Sequence, residues 1–139
     1  MGRTESESGE RGTEATPGAQ ILVVDDNLGT LTVLADALRA AGYMAVTTPD
    51  PREALALLAM ERFDLVITDV VMPHLDGFRL LEKSKERNPG ADVLLISAFV
   101  TDEIVKEALE RGAAAVLPKP FEIGPFTAKV RELLSRRQV

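Results

Sequence analysis

The chain has 139 residues and a net charge of −6, enough length for one domain with a proper core and the wrong sign of charge for gripping phosphate backbones. It contains no cysteine, so disulfides, cysteine-bound zinc and thiol nucleophiles are all excluded, and its single histidine cannot build a multi-histidine metal site. No apolar run approaches the ~20 residues that span a bilayer, and the polar, acidic N-terminus is unlike a signal peptide, so the expected location is the cytoplasm.

Residues 1–18 hold almost no large apolar side chain. Such a segment buries too little surface to offset its ordering entropy, and a disordered acidic and polar tail is expected there. Order is expected from residue 19 onward, as one domain over 19–139. Ile21-Leu22-Val23-Val24 is a short apolar run suited to a strand buried on both faces, and it runs into Asp25, Asp26 and Asn27. Leu28, Leu31, Leu34, Ala35 and Leu38 then repeat at helical spacing until Gly42. A second strand is predicted over Tyr43 to Thr47. A second helix follows from Pro51, with Ala54, Leu55, Leu57, Leu58 and Met60 as its apolar stripe. Leu65 to Thr68 reads as a third strand that stops on the carboxylate of Asp69. Turn-forming Met72-Pro73 and Asp76-Gly77 precede a third helix, begun by Phe78, Leu80 and Leu81 and ended near Asn88. Val93 to Ile96 forms a fourth strand ending on Ser97. Thr101-Asp102-Glu103 has a cap and first-turn acids, and the fourth helix so begun stops at Gly112. A short fifth strand, Ala113 to Leu117, meets Pro118-Lys119-Pro120. The last helix is expected from about Gly124-Pro125, carrying Phe126, Val130, Leu133 and Leu134.

Strands and helices that alternate in this way imply right-handed crossovers and a parallel sheet covered on both faces. All carboxyl ends of the strands then share one edge. Asp25, Asp26, Asp69, Ser97 and Lys119 would converge there although they are far apart in the chain. Carboxylates at such close quarters repel. A pair ~4 Å apart costs about 4 kcal/mol at an effective dielectric near 20. A divalent cation offsets this directly, and hard oxygen donors favour Mg²⁺. Lys119 adds a compact positive charge and Ser97 a hydroxyl. An acid nucleophile, a cation, a lysine and a hydroxyl are the parts needed to receive a phosphoryl group. Each residue alone has a plainer reading: a strand-end Asp caps a helix, a Lys between prolines is solvated, a Ser after a strand turns the chain. Their coincidence at four strand ends argues for the site. His74 lies in a turn, so a loop role is expected of it rather than a phosphohistidine. Glu103, Glu107 and Glu110 read as a solvated face.

Four stretches, ILVVDDN, ITDVVMPHLDG, LLISA and LPKPF, occur in that order on the five-fold alternation. Over about residues 20–137 the chain thereby resembles the receiver domain of two-component response regulators, in its stand-alone form. The resemblance implies a flavodoxin-like, doubly wound five-stranded sheet of order 2-1-3-4-5 with five helices. It implies Asp69 as the phospho-acceptor, served by Lys119 and Ser97. Mg²⁺ would be bound by Asp26 directly, by Asp25 chiefly through water, by Asp69 and by the backbone carbonyl of Val71. A cis Lys119-Pro120 bond is expected. A sensor histidine kinase or a histidine phosphotransfer protein would supply the phosphoryl group. A downstream protein would read the face of the fourth helix, fifth strand and fifth helix. No contact with nucleic acid or membrane is implied, and a homodimer formed on phosphorylation stays open. The domain would catalyse only its own phosphorylation and dephosphorylation.

Two departures from the family pattern matter. Val116 stands where an aromatic switch residue usually lies, three positions before the lysine, so signalling is expected to rely more on backbone movement around Ser97–Thr101. Val71 and Phe99 are apolar where such positions modulate water access, and slow loss of the phosphoryl group is expected. Two other readings stay open: a receiver-like module that binds partners without phosphorylation, and a Mg²⁺-dependent phosphohydrolase. The second of these lacks any insertion that could form a substrate pocket.

Overall fold

The computed structural model describes residues 18–71 and 76–136. Residues 1–17, most of the expected tail, and residues 72–75, where a turn holding His74 is expected, lie outside the described residues. Five strands alternate with five helices: β1 Gln20–Val24, α1 Leu28–Ala40, β2 Met44–Thr48, α2 Pro51–Met60, β3 Leu65–Asp69, α3 Gly77–Arg87, β4 Asp92–Ser97, α4 Asp102–Glu110, β5 Ala115–Pro118 and α5 Ile123–Arg136. All strand pairs are parallel and the sheet order is β2-β1-β3-β4-β5. This is the flavodoxin-like architecture expected from the sequence.

The continuous apolar runs are explained by a core on each side of the sheet. Alternate residues of a strand point to opposite faces. Ile21, Val23, Leu65, Ile67, Leu94 and Ile96 join one core with α1 and α5. Leu22, Val24, Val66, Val93 and Leu95 join the other with α2, α3 and α4. A strand buried on both faces has no polar position to spare until it ends. Polar chemistry is therefore pushed to the strand termini.

The helix starts are assigned by their caps. Asn27 accepts from the Thr30 amide at α1, Asp50 from Arg52 at α2, Asp76 from Arg79 at α3 and Thr101 from Ile104 at α4. Gly42 and Gly112 end α1 and α4 with φ of 97° and 104°, a left-handed conformation that a side chain opposes. Three expectations need correction. Leu28 and Met60 are exposed, because they are the first and last residues of their helices and overhang the sheet. The fifth strand begins at Ala115 rather than Ala113, because the Ala113 amide is bonded to Ala108 at the end of α4. The last helix begins at Ile123, slightly before Gly124-Pro125.

Candidate functional site

β1, β3, β4 and β5 bring Asp25, Asp69, Ser97 and Lys119 to one edge, as the parallel order requires. Asp25 follows β1 directly and is fully buried. Asp69 is the last residue of β3 and is 8% exposed, whereas Asp26 faces solvent. Carboxylate oxygens of these three acids lie within 4.8 Å of one another. The ammonium of Lys119 bridges two of them, at 2.8 Å from Asp25 Oδ2 and 2.7 Å from Asp69 Oδ2. The Lys119-Pro120 bond is cis, as expected. The Lys119 amide donates to the Ser97 carbonyl at 2.8 Å, so the end of β5 is pinned to the end of β4.

None of the three acids is the N-cap of a helix: those duties fall to Asn27, Asp50, Asp76 and Thr101 in the four helices just described. The plainer reading of the strand-end acids thus loses its basis. Their remaining bonds are local. The Asn27 amide donates to Asp25 Oδ1 at 2.9 Å and the Val71 amide to Asp69 Oδ1 at 3.1 Å. Asn27 is a residue that sequence reasoning left without a role, although an Asn beside the first apolar helical residue is itself a cap signal.

The electrostatics follow from burial. Burial pushes the Asp25 carboxyl above the ordinary range, the hydrogen bonds from Lys119 and Asn27 pull against it, and the Asp69 charge pushes the same way as burial. For Lys119, burial alone would lower the pKa. The bonds to Asp25 and Asp69 outweigh burial and raise it above 10.5. A half-buried lysine kept charged between two acids is a fixed positive point beside Asp69. The three acids offer hard oxygen donors close enough to share one divalent ion, a donor set that fits Mg²⁺.

Ser97 is buried, and its hydroxyl accepts from the Phe99 amide at 3.0 Å and makes no hydrogen bond to Asp69. Val71 and Phe99, whose backbone amides bond to Asp69 and Ser97, are 64% and 72% exposed. Val116 is half-buried against the core beneath α2, α3 and α4. Beside Lys119 an open groove of about 610 Å³ is lined by Asn27, Gly29, Thr30, Val33, Ala98 and Phe121, among others.

A doubly wound sheet of this order, with acids, a hydroxyl and a lysine gathered at its carboxyl edge, defines the CheY-like class of signalling domain. Within it, residues 21–131 match the family model of the response regulator receiver domain, and the chain belongs to that family. It is similar to a CheY-like receiver domain protein from Methanospirillum hungatei, with a TM-score of 0.83 and 28% identity over 87% of this chain and 97% of that one. It is likewise similar to the chemotaxis response regulator CheY4 of Vibrio cholerae, with a TM-score of 0.78 and 30% identity over 84% and 98% of the two chains. Among curated proteins it is 36% identical over 118 residues to the DNA-binding transcriptional regulator NtrC of Salmonella typhimurium, covering 85% of this chain and 25% of that protein. A response regulator receiver protein of Anaeromyxobacter sp. is 38% identical over 102 residues, covering 73% and 43%. The chain thus spans between a quarter and a half of the length of these two curated relatives. Receiver domains of two-component systems are signalling modules, generally without enzymatic activity of their own. Among the described residues no helix is long and apolar enough to cross a membrane.

Proposed function

We propose that the chain is a phosphorylation-dependent switch whose acceptor is Asp69. The observation that carries this reading is the Lys119 ammonium held between Asp25 and Asp69, beside three acids that are not helix caps. A carboxylate oxygen of Asp69 attacks the phosphorus of a phosphohistidine on a histidine kinase or phosphotransfer protein. The P–N bond breaks and the imidazole leaves. Asp25, Asp26, Asp69 and the Val71 carbonyl would hold Mg²⁺, which when bound would offset the charge of the phosphoryl group. Lys119 holds its positive charge at the same oxygens, and the burial of Asp69 limits water around the acyl phosphate. The groove beside Lys119 gives the donor an approach.

The product adds roughly −1.5 to −2 of charge at the end of β3. That charge draws the Ser97 hydroxyl and Lys119 inward. For Ser97 this means giving up its bond from the Phe99 amide, which lies just before α4. The face of α4, β5 and α5 then changes, and a downstream protein in the cytoplasm distinguishes the two states. Val71 and Phe99, moving in over the phosphoryl group, would slow its hydrolysis. A module that binds partners without phosphorylation is favoured by one observation, the non-aromatic Val116 in the core. Incubation with acetyl phosphate and Mg²⁺ followed by intact mass separates the two. The switch takes up one phosphoryl group, and Asp69→Ala takes up none. Absence of an adduct on the wild-type chain favours the binding module, and rapid turnover of organic phosphates would mean a phosphohydrolase.

A further inference from the structure

We propose that Gly77 is a positioning residue for the acceptor, a role that rests on the reading of Asp69 given above. Gly77 opens α3 and is buried. A Cβ placed on it would lie 2.3 Å from the Asp69 carbonyl oxygen, 2.7 Å from the Val70 Cα and 3.0 Å from the Asp69 carbonyl carbon. All three are backbone atoms, so no side chain can swing aside to make room. Only a hydrogen atom fits between the first turn of α3 and the peptide that carries the acceptor. The contact is also bonded, since the Gly77 amide donates to the Val70 carbonyl at 2.6 Å.

The two sides of this contact are not equally able to move. α3 is anchored against the sheet by Leu80, Leu81 and Ser84, all fully buried. Asp69 is the terminal residue of β3, paired with Ile96 on one side, and the β1–β3 register stops one residue earlier at Thr68. A methyl group at position 77 therefore displaces the end of β3. That end carries the Asp69 carboxylate, and the Val71 amide bonded to it follows. The helix thus sets the acceptor's position through the backbone, with no polar contact to it.

Gly77→Ala tests this, with Gly124→Ala as the control, because a Cβ at Gly124 meets nothing within 4 Å. Phosphorylation by acetyl phosphate is followed by intact mass across a Mg²⁺ titration, alongside far-UV circular dichroism. Gly77→Ala should keep its secondary structure, be phosphorylated roughly 100-fold more slowly, as for a displacement near 1 Å at a reacting group, and need more Mg²⁺ for half-maximal rate. Gly124→Ala should match the wild type. A folded Gly77→Ala with the wild-type rate and Mg²⁺ dependence overturns the proposal. Where the variant loses structure, trimethylamine N-oxide is added until the wild-type spectrum returns. A slow rate that persists in the refolded chain supports positioning, and a restored rate overturns it, as does a chain that no osmolyte refolds, since the clash is local. A wild-type chain that takes up no phosphoryl group sinks the reading of Asp69 itself, and so is distinct from failure of this inference.

Discussion

Asp25 is the most confined charge in the site. It is fully buried and lies near two other acids, and Lys119 is shared between it and Asp69. Burial raises its pKa above the ordinary 3.8 in spite of the Lys119 and Asn27 bonds. The unfolded chain therefore releases this proton at a lower pH than the folded chain does. Stability falls as pH rises from about 3.8 through the folded value, and stays reduced above it. Lys119 acts in the opposite sense: its raised pKa contributes stability that is fully present below pH 10.5 and is lost as pH rises through the folded value. Asp25→Asn removes the buried charge while Asp69 still holds Lys119. It should raise stability at pH 7 by about 1 kcal/mol, or roughly 3–4 °C in Tm. The gain should shrink as pH falls through 3.8, below which both states of the wild type carry the proton. Thermal unfolding at several pH values checks it, and a variant less stable than wild type at pH 7 would mean that the Asp25–Lys119 bond outweighs the burial cost. The same variant should lose Mg²⁺-dependent phosphorylation, so that the group most costly to fold is one the switch requires.

Among the helices, α4 is the least firmly seated. Its one fully buried residue is Ala108, while Ile104 and Val105 are half-buried and Leu109 is exposed. Arg111 ties its C-terminal end to α3. The guanidinium lies 2.9 Å from Glu82, 2.9 Å from Glu107 and 5.0 Å from the centre of the Phe78 ring. Partly exposed ion pairs contribute about 0.2–1 kcal/mol and an exposed cation–π contact about 0.5–1. Arg111→Ala should thus loosen α4 by about 1 kcal/mol, a roughly five-fold faster amide exchange confined to that helix. Uniform acceleration across the sheet would show that Arg111 supports the whole fold instead. Such a tie was not legible in the sequence, where Glu107 and Glu110 read only as a solvated face, because it joins side chains on two helices. The same holds for Asn88. It accepts from the Phe63 amide at 2.8 Å and donates to the Leu58 carbonyl at 3.1 Å, closing the amino edge of the sheet. Local signals were legible wherever one element decides: apolar runs for β1, β3 and β4, the Thr101 cap, the glycine stops. They failed where tertiary contact decides, as at Leu28 and Met60, whose helical spacing does not reveal that they overhang the sheet.

At the scale of the molecule, the site is a consequence of topology. Strands buried on both faces leave their ends as the place for charge, and a parallel sheet puts all of those ends on one edge. For that reason Asp25, Asp69, Ser97 and Lys119 could be grouped from a sequence in which 94 residues separate the first from the last. The contact of Gly77 with the Asp69 peptide could not, because it depends on how closely α3 approaches β3. Concentrating acids on one edge of a chain with net charge −6 opposes folding, and the opposition is relieved by any ion that binds only the folded state. Mg²⁺ at 100-fold its Kd should add about 2.7 kcal/mol, roughly 10 °C in Tm for a chain of this size, and should keep adding about 1.4 kcal/mol per further decade. Sodium chloride at equal ionic strength only screens the repulsion and should give a smaller rise that levels off. Asp26→Asn, which removes the exposed member of the trio and leaves the Lys119 bridge intact, should weaken the Mg²⁺ effect without lowering the starting Tm. Equal rises in Mg²⁺ and in sodium chloride, or an undiminished Mg²⁺ effect in Asp26→Asn, would show that the acids at this edge are not a cation site.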